Sequence, residues 1–218
     1  MDIKYLGHSS FFIRTRDAKI VTDPFNPAAV GLKYPKTEAD LVTLSHLHDD
    51  HNYREGIKGE PLFVDWPGEF EKNKVRVFGY QTYHDKKKGE ERGLNTMFKF
   101  EADNLSILHC GDLGHLLDDS TVEEIGSVDI LLIPTGGFYS LTAQEAAKVV
   151  NEIEPSLVIP MHYQQPGMNQ EIFSNLQPVG DFLKEIGAED TQAIDKLTIK
   201  KEDLNPEDLK VVVMSIAV

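Results

Sequence analysis

The sequence predicts an α/β domain in which two β-sheets are flanked by helices. Short apolar or alternating runs, typical of strands, recur along the whole chain, whereas segments with helical periodicity lie in the second half. No internal repeat, low-complexity tract or long linker divides the 218 residues. A chain of this length is near the upper end of a single domain and can bury roughly 70% of its unfolded surface. We therefore expect one domain that spans residues 1–218.

The strands are predicted from these runs and from the turn-forming residues between them. In the first third of the chain they cover residues 3–6, 11–15, 19–22, 41–45 and 61–64. Further along they cover residues 74–82, 95–101, 105–110, 129–134, 157–160, 196–200 and 209–218. The segments GHSS and RTRDA are typical of hairpin turns, so the first three strands are expected to form consecutive hairpins.

Two helices are predicted after the middle of the chain. In SLTAQEAAKVVNEIEP, Thr142 and Glu145 have the spacing of a capping box, and the helix is expected to end before Pro155. Apolar residues recur at helical intervals between these limits, at Ala143, Ala146, Ala147, Val150 and Ile153. In VGDFLKEIGAE, Asp181 is the expected N-cap and Gly187 the expected C-cap.

The formal net charge of −14 restricts the partners that the chain is expected to bind. Affinity for nucleic acid that is independent of base sequence comes from lysine and arginine side chains that neutralise phosphates, so nucleic acid is disfavoured as a partner. The same charge favours a divalent cation. We expect a small-molecule substrate instead.

Several features predict a cytoplasmic protein that does not enter a membrane. No apolar run approaches the roughly 20 residues that span a bilayer, and MDIKYLGHSS lacks the cationic start and long apolar stretch of a signal peptide. Cys110 is the only cysteine, which excludes an intrachain disulfide, a cysteine-based zinc cage and a CxxC redox motif.

The segment LSHLHDDHN, residues 44–52, concentrates three histidines and two aspartates directly after a predicted strand. Residues two apart in an extended segment share a face, so His46 and His48 can reach one metal ion. Asp50 and His51 follow where the chain must turn, and they are placed to serve a second cation. A histidine-rich loop is otherwise a solvated turn, but the strand context and the H-x-H-x-D-H spacing favour a metal site.

At these residues the chain resembles the metallo-β-lactamase superfamily, whose pattern continues at His84 in QTYHD, Asp112 in LHCGDLG and His162 in VIPMHY. The resemblance covers nearly the whole chain, from YLGHSSFFI through DPF to IPTGG and PMHY. These segments are similar to the branch that includes ascorbate-6-phosphate lactonase. The resemblance implies a four-layer αββα sandwich and a metal-dependent hydrolase.

The resemblance also implies a dinuclear site with nitrogen and oxygen ligands. It assigns one metal to His46, His48 and His84, the other to Asp50, His51 and His162, and the bridging position to Asp112. Two divalent ions are expected, with zinc as the first choice and manganese, iron or nickel as alternatives. Because glutamate does not replace His48, the di-iron oxygen-reducing branch of the superfamily is disfavoured.

Residues near these ligands have competing interpretations. His84 lies in a polar loop and His109 on a strand, so either is able to complete the first metal site. His8 and Asp23 are expected behind the ligands, where a carboxylate commonly accepts the free ring N–H of a ligand histidine, although Asp23 is also placed as a turn residue before Pro24. His115 is interpreted as a pocket residue or a turn cap.

Aromatic and basic residues are candidates for substrate contact. Tyr139 and Tyr163 follow glycine-rich and proline-containing segments, where aromatic side chains either contact substrate or pack, and Trp66 is interpreted as structural. Basic side chains able to bind an anionic substrate if they turn inward are Lys33, Lys36, Lys86, Lys87, Lys88 and Arg92.

The chemistry expected of this site is hydrolysis. Two cations that share a water lower its pKa from 15.7 towards about 7 and stabilise the oxyanion that forms. We predict cleavage of an ester, lactone or phosphodiester bond in a small metabolite, with Asp50 and Asp112 as catalytic residues and Asp50 holding or accepting the proton of the water. The alternatives are a nuclease of the same superfamily and a metal-binding regulatory protein without turnover.

Overall fold

A computed structural model describes residues 1–217. In chain order the strands are β1 (Asp2–Gly7), β2 (Ser10–Arg14), β3 (Lys19–Thr22), β4 (Thr37–Glu38), β5 (Leu41–Thr43), β6 (Ile57–Lys58), β7 (Leu62–Val64), β8 (Gly68–Lys72), β9 (Val75–Tyr83), β10 (Leu94–Ala102), β11 (Leu105–His109), β12 (Ile130–Pro134), β13 (Leu157–Met161), β14 (Leu197–Thr198) and β15 (Lys210–Val211). The helices are α1 (Pro27–Val30), α2 (Asp119–Ile125), α3 (Ala143–Ile153), α4 (Gln170–Phe173) and α5 (Val179–Glu185), with 3-10 turns at Arg54–Gly56 and Lys201–Asp203.

The first sheet has the strand order β14-β1-β2-β3-β5-β7. The two predicted hairpins are confirmed, because β1 pairs antiparallel with β2, and β2 pairs antiparallel with β3. The strands β3, β5 and β7 are parallel, so all three end at the same edge of the sheet. The metal-binding segment predicted at residues 46–51 therefore starts at this edge, directly after β5.

The second sheet has the order β15-β13-β12-β11-β10-β9-β8. Its centre is parallel, since β11 pairs with β12 and β12 pairs with β13 in the same direction. The strand β9 is antiparallel to β10, which is itself antiparallel to β11, so β9 runs the same way as the parallel strands. The chain leaves β9, β11, β12 and β13 at one edge.

The main core lies between the two sheets. Side chains alternate across each strand, so Ile20 and Leu41 point into this core while their neighbours Val21 and Val42 face the opposite side of the first sheet. Short segments cover that outer side, among them the small sheet of β4 and β6.

The outer face of the second sheet is covered by α2, α3 and α5. The predicted capping box is confirmed, because Thr142 accepts a hydrogen bond from the backbone N–H of Glu145 and the Glu145 carboxylate accepts one from the backbone N–H of Thr142. Apolar residues on one face of α3, including Ala146 and Val150, are buried against β11, β12 and β13. Burial of this face is the main stabilisation of the helix.

Several element boundaries differ from the prediction. Pro178 is the N-cap of α5, so Asp181 lies inside the first helical turn, where its charge complements the helix dipole. Ile186 is the C-cap, and Gly187 follows with a φ of 70°, a left-handed conformation that glycine adopts without strain.

The prediction also missed elements and overextended one. The edge strand β8 was not predicted, because GEFEK is rich in exposed charges and depends on pairing with β9. The helices α1, α2 and α4 were also missed, since their four to seven residues give only a weak helical period. The strand predicted at residues 209–218 is confined to β15 and two isolated bridges that involve Met214 and Ile216. Its last residue, Val218, lies outside the described residues.

Among residues 1–217, no helix combines the length and the apolar character needed to cross a bilayer.

Candidate metal centre

The predicted ligands meet where strands of both sheets end. His46, His48, Asp50 and His51 belong to the loop after β5, which comes from the first sheet. The others follow strands of the second sheet, His84 after β9, Asp112 after β11 and His162 after β13. Strands that run in the same direction end at a common edge, which is why residues more than 100 positions apart in the sequence become neighbours in space.

Three groups of side chains are compact enough to hold a cation. Their ligand atoms lie within 4.8 Å of one another, and the groups are His46, His48 and His84; His46, His51 and Asp112; and His8, Asp50, His51 and His162. The structure thus brings all seven predicted ligands together and adds His8 to them.

Asp112 occupies the centre of the cluster. Its Oδ2 lies 3.1 Å from Nε2 of His162, 3.2 Å from Nε2 of His84 and 3.3 Å from Nε2 of His51. It lies 4.0 Å from Nε2 of His46. Two ligands that are each about 2.1 Å from a tetrahedral zinc ion are roughly 3.4 Å apart. The separations to His162, His84 and His51 therefore match those of ligands that share a cation.

Buried polar atoms without partners test whether a metal fits. Nε2 of His46, His51 and His162 and Oδ1 of Asp112 are buried, and none of them makes a hydrogen bond of acceptable geometry among the described residues, although Nε2 of His51 and His162 lies close to Oδ2 of Asp112. An unsatisfied buried polar group costs about 1–3 kcal/mol, so four in one place require an explanation. A divalent cation accounts for them, since neutral imidazole nitrogens and carboxylate oxygens are the zinc ligands of proteins.

Asp23 orients two of the candidate ligands from behind. Its Oδ2 accepts a hydrogen bond from Nδ1 of His51 at 2.8 Å and from the hydroxyl of Ser45. The Ser45 oxygen in turn accepts from Nδ1 of His46 at 2.9 Å. Both histidines therefore hold their proton on Nδ1 and direct Nε2 toward Asp112. Ser45 received no role from the sequence, although it directly precedes His46.

His8 lies closer to the site than the expected position behind the ligands. It is fully buried at the tip of the β1–β2 hairpin, and its Nε2 lies 3.0 Å from Oδ2 of Asp50. Its backbone carbonyl accepts a hydrogen bond from the backbone N–H of His162 at 2.8 Å. Both histidines have a positive φ, 55° for His8 and 50° for His162. Such backbone strain clusters at functional sites.

Two other histidines lie outside the three ligand groups. Nε2 of His109 donates to the carbonyl of Ser9 at 2.8 Å, and its Nδ1 accepts from the N–H of Gly111, so both ring nitrogens have backbone partners. The structure places His84, rather than His109, beside His46 and His48. His115 donates from Nδ1 to the carbonyl of Leu116 and accepts from the N–H of Tyr83, which joins it to the end of β9.

The two candidate tyrosines have different surroundings. Tyr139 lines the cavity above the candidate ligands, and its hydroxyl donates to the carbonyl of Ile172 at 2.8 Å. Tyr163 is 5% exposed and packs near Tyr5 with ring centroids 6.4 Å apart. Burial raises the pKa of Tyr163 to about 12, so it stays neutral.

Comparisons with known proteins agree with this geometry. A family model described as a beta-lactamase superfamily domain matches residues 2–162. A UPF0173 metal-dependent hydrolase from Thermococcus onnurineus is 31% identical over 189 residues, which cover 74% of this chain and 84% of the relative. One from Pyrococcus abyssi is 30% identical over 190 residues, with the same coverage of 74% and 84%.

Solved structures extend the similarity to the full length. A metallo-β-lactamase superfamily protein from Thermotoga maritima superposes with a TM-score of 0.80 at 36% identity, and the match covers 98% of this chain and 97% of that one. The chain belongs to the metallo-β-lactamase superfamily. The predicted four-layer αββα class is thereby confirmed. The branch that includes ascorbate-6-phosphate lactonase stays a prediction.

The electrostatics of this metallo-β-lactamase site favour bound positive charge. Burial by itself raises the pKa of Asp112, but His162 and His51 outweigh it and hold the pKa well below its usual range. Burial, together with the neighbouring His51, lowers the pKa of His46 well below its usual range. Asp112 is therefore ionised and His46 neutral, the forms that bind a divalent cation. For His51, burial lowers the pKa, but Asp112 and Asp50 outweigh it and raise the pKa above its usual range, so a cation bound here replaces a proton.

Glycines in neighbouring loops allow close approach to the backbones of two candidate ligands. A Cβ added to Gly114 would lie 2.4 Å from the carbonyl carbon of His84, and one added to Gly136 would lie 2.1 Å from the carbonyl oxygen of His162. Both distances are shorter than van der Waals contact, so glycine is required at these positions for the close approach of the two backbones.

A cavity of about 370 Å³ opens above the candidate ligands. His48, Asp50, His84 and Asp112 form its floor, while its walls include Ala29, Tyr139, Ile172, Phe173 and Arg92. This volume is in the range of small-molecule sites, which are mostly apolar with a few convergent polar groups.

Proposed function

We propose that this protein is a metal-dependent hydrolase that binds two divalent cations, with zinc as the expected metal, and cleaves an ester, lactone or phosphodiester bond of a small metabolite. The proposal rests on one observation, the central carboxylate of Asp112 among histidine nitrogens that have no other partner, at the floor of a cavity of suitable size. The names of the relatives support it, since the UPF0173 proteins are called metal-dependent hydrolases and the Thermotoga protein is described as Zn-dependent.

We assign the ligands as two sets that share Asp112. His46, His48 and His84 form the first set, and Asp50, His51 and His162 form the second. His8 lies next to the second set. Its Nε2 either donates a hydrogen bond to Asp50 or is itself a metal ligand. When bound, the cations supply a hydroxide at neutral pH and an electrophile for the substrate oxygen.

The protein groups around this pair position the reactants. Asp50 lines the cavity, and its Oδ2 lies 3.0 Å from Nε2 of His8, so Asp50 is placed to accept a hydrogen bond from the attacking water. Asp23 and Ser45 keep the imidazoles of His46 and His51 in fixed orientations. Preorganised groups of this kind lower the barrier because they need no rearrangement as charge develops.

A small-molecule substrate and a cytoplasmic site of action are parts of the same proposal. The net charge of −14 supports a small substrate over nucleic acid, because binding along a phosphate backbone requires many lysine and arginine contacts.

Metal content and turnover test the proposal. Elemental analysis of the purified protein is expected to find about two zinc ions per chain, and panels of lactones, carboxylic esters and phosphodiesters are expected to include a substrate. Asp112→Asn is expected to lower metal occupancy and to reduce activity at least about 100-fold, since it removes the shared charge. Asp119→Asn, at an exposed helix position, is the matched control. A protein that binds less than one metal ion and turns over nothing contradicts the proposal.

A further inference from the structure

The loop between β9 and β10 carries a basic side chain to the edge of the metal cavity. Of the six basic residues considered as anion-binding candidates, Arg92 alone lines this cavity. Lys86 is turned away, since its Nζ pairs with Oε1 of Glu145 at 2.5 Å, and Lys87 pairs with Glu91 at 2.6 Å. Among the described lining residues, Arg92 is therefore the cation that faces the substrate space.

The backbone of this loop is held rigidly by Asp85, which is 3% exposed. The Asp85 carboxylate accepts hydrogen bonds from four backbone N–H groups, at distances of 2.7–3.1 Å, in Lys87, Gly89, Glu91 and Arg92. The N–H of His84 donates to the carbonyl of Gly93, which closes the loop at its other end. The position of Arg92 is thus built into the same segment that supplies a candidate ligand.

The guanidinium of Arg92 is available to a ligand. Its Cζ lies 5.8 Å from the ring centroid of Tyr139, within the range of a cation–π contact, and this contact keeps it at the cavity edge. The nearest carboxylate oxygen, Oε2 of Glu91, lies 3.8 Å from the guanidinium, beyond hydrogen-bond distance, and Oε1 of the same carboxylate pairs with Lys87 at 2.6 Å. A planar guanidinium with free donors binds carboxylate or phosphate in a bidentate manner.

A second depression continues from the metal cavity past Arg92. This apolar groove has a volume of about 410 Å³ and is lined by Leu47, Trp66, Pro67 and Leu94, among others, and it shares His48 and Arg92 with the metal cavity. Leu47 is 68% exposed, Trp66 is 54% exposed and Leu94 is 53% exposed. Trp66 is thus not a core residue, and its ring packs edge-on against Phe70.

We propose that the substrate is an amphipathic organic anion, whose carboxylate or phosphate is bound by Arg92 and whose apolar part lies in the apolar groove. This inference rests on the proposed hydrolase function and names its substrate class. The metal cavity and the apolar groove share His48 and Arg92 in their linings. A molecule whose reacting bond lies over the candidate ligands therefore has Arg92 next to it and the groove on the far side of Arg92. Burial of exposed leucine and tryptophan surface then contributes binding free energy.

Binding measurements on the metal-loaded protein test this substrate class without requiring turnover. The probes are 4-phenylbutyrate, its neutral analogue 4-phenylbutanamide, and 3-phenylpropylphosphonate as the phosphate-like anion. Calorimetry gives the dissociation constants. Trp66 is the only tryptophan, so its fluorescence reports directly on occupancy of the groove.

The wild-type protein is expected to bind an anionic probe more tightly than the neutral one, with a change in Trp66 fluorescence. Arg92→Gln is expected to reduce this preference about tenfold, the loss typical of a charged hydrogen bond. Lys88→Gln removes the same charge from the same loop, but Lys88 does not line either depression, so the preference is expected to stay unchanged. The anion that loses more affinity in Arg92→Gln identifies the group that Arg92 binds.

Three results overturn the proposal. The first is an Arg92→Gln variant that keeps the full wild-type preference for the anion. The second is a wild-type protein that binds none of the probes, an outcome that leaves the hydrolase proposal to be judged by metal content and turnover. The third is a dimer in sedimentation, together with Trp66 fluorescence that does not respond to the probes. The groove would then be an interface between two copies of the chain.

Discussion

Single residues behind the candidate ligands determine how well the site is preorganised. Asp23 is fully buried, and its carboxylate connects to His51 directly and to His46 through Ser45. Burial by itself raises the pKa of Asp23, but the nearby His109 and His51 outweigh it and lower the pKa, so the carboxylate stays ionised. One buried charge therefore fixes the ring orientation of two candidate ligands, which we assign to different metal sets.

Asp23→Asn is expected to weaken metal binding about 10- to 100-fold, because an amide accepts these hydrogen bonds less strongly. Asparagine tolerates the φ of 38° at this position, so the backbone is expected to be retained. Competition with a chromophoric chelator measures the affinity. Asp17→Asn, a partly exposed aspartate that pairs with Lys74, is the control. An affinity equal to that of the wild type would show that Asp23 does not orient the ligands.

Gly114→Ala is expected to displace His84 and to reduce metal occupancy, since the new Cβ would lie 2.4 Å from the His84 carbonyl carbon. The same substitution at Gly180 in α5 meets no atom within 4 Å. That control is expected to be neutral or to stabilise the protein by roughly 0.5–1 kcal/mol, the usual gain for glycine to alanine in a helix. Elemental analysis and thermal unfolding of both variants check the contrast. Full metal occupancy in Gly114→Ala would show that the backbones at residues 84 and 114 can move apart without loss of metal binding.

At the scale of elements, the loops at the ends of the strands carry the candidate ligands. The loop between β9 and β10 is held in place by a hydrogen-bond acceptor within the loop itself. The loop between β9 and β10 folds around Asp85. Burial would raise the pKa of this carboxyl, but the four backbone N–H donors outweigh it and lower the pKa to about 2. Since the ionised form is favoured in the folded state, Asp85 stabilises the protein at neutral pH.

Asp85→Ala is expected to lower the free energy of unfolding at pH 7 by about 1–3 kcal/mol, because several N–H groups lose a charged acceptor. A group whose pKa is lowered on folding stabilises the protein above its unfolded pKa of about 3.9, and the stabilisation is lost as the pH falls towards about 2. The difference between variant and wild type is therefore expected to be constant from pH 5 to 8 and to shrink below pH 4. Urea unfolding at a series of pH values measures it. A difference that grows in acid would exclude this role for Asp85.

At the scale of the whole molecule, the candidate metal centre links the two sheets. His46, His48, Asp50 and His51 come from the first sheet, and His84, Asp112 and His162 come from the second. Metal binding therefore ties together elements that otherwise meet through apolar packing in the main core.

Removal of metal is expected to lower the thermal midpoint. A ligand present at about 1,000 times its dissociation constant stabilises the folded state by about 4 kcal/mol, which corresponds to roughly 8–16 °C for a chain of this size. Differential scanning calorimetry with and without a chelator measures the shift, and added zinc is expected to restore the midpoint. Equal midpoints in both conditions would contradict a metal that joins the sheets.

The sequence predicted most long elements because their signals are local. The hairpin turns at residues 7–10 and 14–18 and the capping box at Thr142 and Glu145 each depend on a few neighbouring residues, and each is confirmed. The boundaries of α5 and the edge strand β8 were predicted wrongly or missed. In α5, Pro178 takes the N-cap position that the sequence assigned to Asp181. In β8, pairing with β9 stabilises a strand whose own residues do not favour one.

By itself, the sequence determined the fold family, which the comparisons confirm, and it predicted a metal site from histidines and aspartates that are closely spaced after strands. Only the tertiary structure decided which side chains meet. It placed His84 rather than His109 beside His46 and His48, since the backbone occupies both ring nitrogens of His109, and it brought His8 across from a distant hairpin. It also directed Arg92 to the cavity and Lys86 to Glu145. Such choices depend on contacts between strands far apart in the chain, and no local pattern of residues encodes them.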